Sequence, residues 1–290
     1  MSTSAGAAEA VQRLVATLDL EQLDLDLFRG APAPNDRGRA FGGHVAAQAL
    51  IAGVRSVEEQ FTVHSMHSYF LLPGDSDAPI IYDVERIRDG RSFLTRRVVA
   101  RQHGRAIYYL TANFQRHEEG YEHQDAMPSV RPPEKGLDMI ALMASMGGAE
   151  GAALAREWGA VEMRAVGNSQ RGLTPDPTRP AQQRMWLRIA APLPEDPLVH
   201  LAAFTWASDI TLLSASMAAH SLDTSRVQMA SLDHTLWFHR PFRADQWWLY
   251  DQESPSAQGG RGLSLGRVFA HDGTLVATAA QEGIIRPPRG

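Results

Sequence analysis

The chain has 290 residues, 44% of them hydrophobic, enough for two domain cores of ordinary size. Its formal charge is −5 and its pI about 6.1, so it lacks the basic field that draws proteins to nucleic acid, and none is expected as a partner. With no cysteine, disulfides, thiolate metal sites and a cysteine nucleophile are excluded, and a reducing cytoplasm is the expected location.

The first residues, MSTSAGAAEAVQRL, have no basic stretch followed by an apolar core, so no signal peptide is expected. No stretch reads as long and apolar enough to span a bilayer, so no stable membrane insertion is expected either. Leu20 to Gly30 alternates imperfectly and reads as a strand. A turn-rich stretch, Ala31 to Arg39, leads into Phe41–Ile51 (FGGHVAAQALI). This run reads as a helix entered through two glycines, apolar on most faces and therefore buried. Four strand-like runs follow, around Thr62–Leu72, Ile80–Asp89, Ser92–Gln102 and Ala106–Gln115, with hairpin turns at Arg88-Asp89-Gly90 and His103-Gly104.

Composition changes from Arg116 to Trp158. This region begins acidic and histidine-rich and continues as an alanine-rich helix candidate, Leu137 to Trp158; it reads as a connector. The pattern then restarts, with strands at Ala160–Val166 and Gln183–Ala190, a run from Pro197 to His220 that is helical in two pieces, and four closing strands. The expected organisation is an N-terminal domain at 1–117, a connector with a helix at 118–158 and a C-terminal domain at 159–290. Each domain is of α+β class, one buried helix against about five antiparallel strands.

The two halves are copies. Tyr69, Phe70 and Pro73 recur as Trp237, Phe238 and Pro241; Tyr82 and Glu85 recur as Tyr250 and Glu253, all 168 residues apart. A loop difference of one or two residues then brings Arg97 onto Arg267 and Gly104 onto Gly273. Where the copies differ, the second gains polar residues. If the helix at Phe41 corresponds to one starting at Asp209, an acid replaces Gly42 or Gly43. The rival reading of Ser208-Asp209 is a plain helix N-cap. Gln281 falls where the first copy has Ala112, and Ser231 where it has Val63. A hydroxyl in place of valine inside a sheet is not a neutral exchange. Together the three could hold one water, with Asp209 as base and Ser231 and Gln281 as hydrogen-bond partners. Asp233 is a rival acid, two residues beyond Ser231 and expected to face the same way.

Other motifs compete. Gly262-Leu263-Ser264-Leu265-Gly266 matches the G-x-S-x-G elbow of serine hydrolases, but lies in an alternating, strand-like run with only His271 and Asp272 after it. His117, Glu118, Glu119, Glu122 and His123 lack metal-ligand spacing and read as a solvated linker, so no metal is expected. Of the histidines bordering strands (His64, His67, His234 and His239), His67 is assigned to substrate, together with Gly42, Gly43 and Asp233.

The segments LFRG (Leu27–Gly30), FGGHVAAQAL (Phe41–Leu50), HSMHSYFLLPGD (His64–Asp75), PIIYDVERIRDGRSF (Pro79–Phe93), WASDITLL (Trp206–Leu213), SLDHTLWFHRPF (Ser231–Phe242), WLYDQESPSA (Trp248–Ala257) and DGTLVATAAQEGIIR (Asp272–Arg286) resemble the acyl-CoA thioesterase II family, the double-hotdog thioesterases. The resemblance runs through both halves. It implies two tandem hotdogs, each an antiparallel sheet wrapped around a long helix, and hydrolysis of fatty acyl-CoA to free acid and CoA without metal or cofactor. The family's catalytic aspartate at a helix start, hydroxyl residue before a D-H pair, and glutamine of a Q-E-G segment map onto Asp209, Ser231 and Gln281. Backbone N–H groups near Gly42 and Gly43 would bind the oxyanion. A homo-oligomer is also implied. Three other readings stay open on sequence: a serine esterase using Ser264, a non-catalytic acyl-CoA-binding hotdog, and a hydratase with His234 as base.

Overall fold

A computed structural model describes residues 2–145, 148–220 and 227–286 of the chain. Helix α1 (Ser2–Leu18) opens it, followed by a hairpin of β1 (Glu21–Asp24) and β2 (Leu27–Gly30). The single strand expected at Leu20–Gly30 is thus two, because Asp26 turns the chain in the left-handed region at φ 59°. Helix α1 had no counterpart among the expected elements. Its buried stripe of Val11, Leu14 and Leu18 packs over the central helices.

The N-terminal half continues with α2 (Gly42–Val54), β3 (Phe61–Phe70), β4 (Ile80–Asp89), β5 (Phe93–Gln102) and β6 (Arg105–Arg116). Eleven consecutive residues of α2, Gly43–Gly53, are buried, as expected of a helix with no polar face. Its one amide is satisfied: Gln48 Nε2 donates to the Thr17 and Ala31 carbonyls, and Tyr82 OH donates to Gln48 Oε1 at 2.7 Å.

The connector is more structured than a linker. Trp186 Nε1 donates to the Arg131 carbonyl, and Met127 and Val130 pack on a small core with Trp186, Leu249 and Phe269. The helix expected over Leu137–Trp158 is divided into β7 (Leu137–Asp138), α3 (Met139–Ser145) and α4 (Gly148–Glu157). The C-terminal half comprises β8 (Val161–Asn168), β9 (Gln182–Ile189), α5 (Pro197–Ser208), a 3-10 segment at Leu213–Met217, β10 (Gln228–Ser231), β11 (Asp233–Phe238), β12 (Trp248–Gln258), β13 (Arg261–Ala270) and β14 (Leu275–Arg286).

All the strands belong to one antiparallel sheet of order β1-β2-β4-β5-β6-β3-β11-β14-β13-β12-β9-β8-β7, with β10 paired to β14. The halves join where β3 meets β11, Thr235 opposite His67 and Trp237 opposite Ser65. Each half of the sheet curls around its own helix, and α2 and α5 touch each other. This is a pair of tandem hotdogs.

Strand register makes the internal repeat exact and corrects it at one place. Tyr82 pairs with Ala100, and Tyr250 with Val268, so the offset of 168 holds through both hairpins. Arg267 therefore stands opposite Asp251, in the place of Val99 rather than Arg97. The extra residue enters at the next turn: Val98 pairs with Leu110, while Gly266 pairs with Ala279. One further expectation is revised. Pro197–Met217 forms a 21-residue helical run long and apolar enough, by length and composition, to cross a bilayer, because alanines and small polar residues interrupt its apolar character only weakly. It is mostly buried under the sheet as a core helix.

Candidate active site

The site begins on the inner face of β14. Ala277, Ala279 and Gln281 alternate inward and are fully buried, the alanines leaving room for the helical run that crosses them. Gly283, next on that face, has no space for a Cβ because Leu213 lies 2.5 Å from where it would stand. Ser231 on β10 pairs with Gly283 across the sheet, and Ser264 on β13 pairs with Gln281. Ser231 and Gln281 are therefore diagonal neighbours on one face.

Asp209 reaches this face from above. Its position differs from the expected helix start: it is the C-cap of α5, with helical φ −80° and ψ −13°. The helix start is Asp196, whose side chain accepts from the Leu198 N–H, with Pro197 at the first helical position. Ser208 is likewise no cap; its Oγ donates to the Thr205 carbonyl at 2.9 Å.

Three side chains converge here. Gln281 Nε2 donates to Asp209 Oδ1 at 2.5 Å and to Ser231 Oγ at 3.0 Å; Ser231 Oγ donates to Asp209 Oδ1 at 3.3 Å. Gln281 Oε1 is buried and has no hydrogen-bond partner among the described residues, which leaves an acceptor open on the amide that holds the carboxylate. Burial drives the Asp209 pKa up from 3.8 to about 6, against the opposing pull of hydrogen bonds from Gln281, Ser231 and the Gly43 backbone N–H. The N–H that favours its charge thus belongs to the N-terminus of α2, in the other half of the molecule, and not to its own helix. Tyr108 and Tyr250 face the carboxylate with phenols that burial holds protonated.

Four other candidates separate from this cluster. Asp233 does not share a face with Ser231. The chain breaks between β10 and β11 at Leu232, whose N–H bonds the Glu282 carbonyl, and the break shifts the alternation by one. His234 and Leu236 then face inward and Asp233 outward, where Asp233 Oδ1 accepts from the Glu282 N–H at 2.7 Å. His67 is exposed on the same outer face, its ring edge-on to Trp237 at 5.4 Å. His234 is fully buried, burial lowers its pKa to about 4, and its Nε2 lies 2.9 Å from Ser208 Oγ. Since the Ser208 hydrogen goes to Thr205, His234 is the donor, a neutral imidazole anchored away from the trio.

Ser264 sits mid-strand in β13, so the strand–turn–helix of a nucleophile elbow is absent there. Its flanking glycines serve packing: a Cβ at Gly262 would strike Ser216, and one at Gly266 would strike Tyr250. His271 stacks near Trp186 at the far end of that strand. Among the described residues, no group of three or more His, Cys, Asp or Glu side chains is arranged to hold a metal. Two surface clefts of about 250 and 530 Å³ lie around Arg243 and Gln246, and neither reaches the trio.

Both halves match models of known families. Residues 31–115 match the acyl-CoA thioesterase N-terminal domain, and residues 169–284 match acyl-CoA thioesterase. The chain is 40% identical to acyl-coenzyme A thioesterase 8 of Homo sapiens over 287 residues, covering 94% of this chain and 89% of that one. It is 36% identical to acyl-CoA thioesterase 2 of Haemophilus influenzae, covering 96% and 99%. The crystal structure of the acyl-CoA thioesterase II TesB2 from Mycobacterium marinum superposes with a TM-score of 0.83 at 43% identity, covering 96% and 99%. Fold and relatives together define an acyl-CoA thioester hydrolase built from two tandem hotdogs. The chain belongs to the acyl-CoA thioesterase II family.

Proposed function

We propose that the protein hydrolyses fatty acyl-CoA to free fatty acid and CoA through one water molecule held by Asp209, Ser231 and Gln281. The observation that carries this reading is the convergence of two donors, Gln281 Nε2 and Ser231 Oγ, on one oxygen of a buried carboxylate whose pKa stands at about 6. A carboxyl tuned to that range is ionised at neutral pH yet basic enough to take a proton. Asp209 takes one proton from the water, while the open Gln281 Oε1 accepts a hydrogen bond from the O–H that stays on the attacking oxygen. The water oxygen bonds to the thioester carbonyl carbon, and the carbonyl oxygen becomes an oxyanion. The Gly42 N–H, at the start of α2, is assigned to this oxyanion, since the Gly43 N–H is already engaged by Asp209. Gly42, at the first helical position, has no carbonyl in its own helix to bond. When the intermediate collapses, the carbon–sulfur bond breaks, and the thiolate of CoA recovers the proton from Asp209.

A thiol-release assay on palmitoyl-CoA tests this reading. Asp209→Ala lowers turnover by about 10²–10⁴, the usual worth of a general base. A folded variant with unchanged turnover would overturn the reading. The homo-oligomer and the cytoplasmic location are further proposals, tested by native mass measurement and by fractionation.

A further inference from the structure

The FGGH entry to α2 lies in the half of the molecule without the polar trio, yet it abuts Asp209. A Cβ built on Gly42 would stand 2.7 Å from Asp209 Oδ2, 2.9 Å from Phe70 Cε1 and 3.0 Å from Phe70 Cζ. We propose that Gly42 is a positioning residue for the reaction: its bare Cα leaves the space in which the Asp209 carboxylate lies, so the N-terminal hotdog sets the base of the C-terminal one. The proposal rests on Asp209 acting as that base.

Three observations bear on it. First, Gly42 is not among the positive-φ glycines, so it serves space and not an unusual backbone. Second, the atoms a Cβ would meet are the movable ends of two side chains. Alanine at 42 therefore displaces the carboxylate and the Phe70 ring without parting the helices. Gly43 differs: its Cβ would stand 2.3 Å from the Trp206 carbonyl oxygen, a backbone atom, so that glycine sets the approach of α2 to α5. Third, the Gly43 N–H is one of three donors holding the carboxylate, so any displacement away from α2 weakens a bond that favours ionisation. The titratable groups facing Asp209 are Tyr108 from β6 and Tyr250 from β12, both kept protonated by burial; His234 is neutral and bonded to Ser208, not to the carboxylate. None supplies a charge to replace the lost bond.

The test compares Gly42→Ala with Gly53→Ala on the same helix, where a Cβ meets Val98 at 3.5 Å and Phe114 at 3.9 Å, both ordinary contacts. Turnover of palmitoyl-CoA, its pH profile and the Tm are measured in the wild-type and Asp209→Ala backgrounds. Gly42→Ala is expected to lower kcat at least about tenfold with KM within about twofold, and to move the acid limb of the rate profile to higher pH. Gly53→Ala leaves all three unchanged. The Tm loss caused by Gly42→Ala shrinks when Asp209 is alanine, because the carboxylate clash has gone and only the Phe70 contact is left. If Gly42→Ala lowers the Tm too far for assay, Gly42→Ala/Phe70→Leu removes the ring clash and reads the carboxylate alone. Wild-type kcat and pH profile in Gly42→Ala, or equal Tm losses in both backgrounds, would overturn the proposal. Turnover of Asp209→Ala by itself decides whether Asp209 is the base, so the two failures are distinguishable.

Discussion

Gln281 Nε2 and Asp209 Oδ1 lie 2.5 Å apart across 72 residues of chain, one on a buried strand and the other at the end of a buried helix. In the N-terminal half the position equivalent to Gln281 is Ala112, opposite Met66 and Arg96 in the sheet, and that of Ser231 is Val63. The duplication thus contains its own control: the same fold stands with and without the polar set.

The carboxylate must be ionised to accept a proton, so kcat/KM on palmitoyl-CoA should rise with pH through an apparent pKa near that of Asp209, about 6. Gln281→Glu exchanges a donor for a second acid on the same oxygen. Like charges at that distance favour protonation, so the limb should move to higher pH and the rate at pH 7 should fall. A pH–rate profile of both proteins checks this. An unmoved limb in Gln281→Glu would count against Asp209 as the titrating group.

Stability should depend on pH in the sense opposite to a salt-bridged aspartate. Below pH 3.8 the carboxyl keeps its proton in both folded and unfolded chains. Between 3.8 and about 6 only the unfolded chain releases it, so the Asp209 contribution to stability is lost as pH rises through that window. A shift of that size corresponds to roughly 3 kcal/mol. Denaturant unfolding of wild type and Asp209→Asn at pH 4 and pH 7.5 should show the difference between them moving towards the variant at the higher pH. A difference independent of pH would mean that the carboxyl is not desolvated as the structure has it.

Half-buried Ser231 and buried Ser264 should separate cleanly. Ser231→Ala removes a donor to Asp209 and an acceptor for Gln281, and should lower kcat by about 10-fold to 100-fold, whereas Ser231→Thr keeps the hydroxyl and most of the rate. Ser264→Ala should change kcat by less than about twofold, because Ser264 Oγ makes no hydrogen bond among the described residues, to a histidine base or to any other group. Thiol release by the three variants decides the point. Loss of activity in Ser264→Ala would revive a role for that serine.

The strands of both halves were readable from alternation, and α2 from its unbroken apolar composition, because these patterns reflect burial against a sheet a few ångströms away. Helix α1 is hard to read from the sequence because its buried stripe, Val11, Leu14 and Leu18, lies among small and polar residues. The C-terminal half of the connector reads as one helix because alanine-rich composition shows neither the short strand β7 nor the left-handed backbone of Gly148, φ 85°.

The sequence by itself determined the duplicated fold and the three residues at which the copies diverge, since composition, period and the offset of 168 are properties of the chain alone. The tertiary structure decided which side chains meet. Asp233 looks outward because a one-residue break at Leu232 reverses the faces of a strand, and period-two reasoning cannot see such a break in advance. Asp209 lies at the end of α5, against the start of α2. That contact arises only when two helices, far apart in sequence, cross closely enough for a glycine to be needed between them.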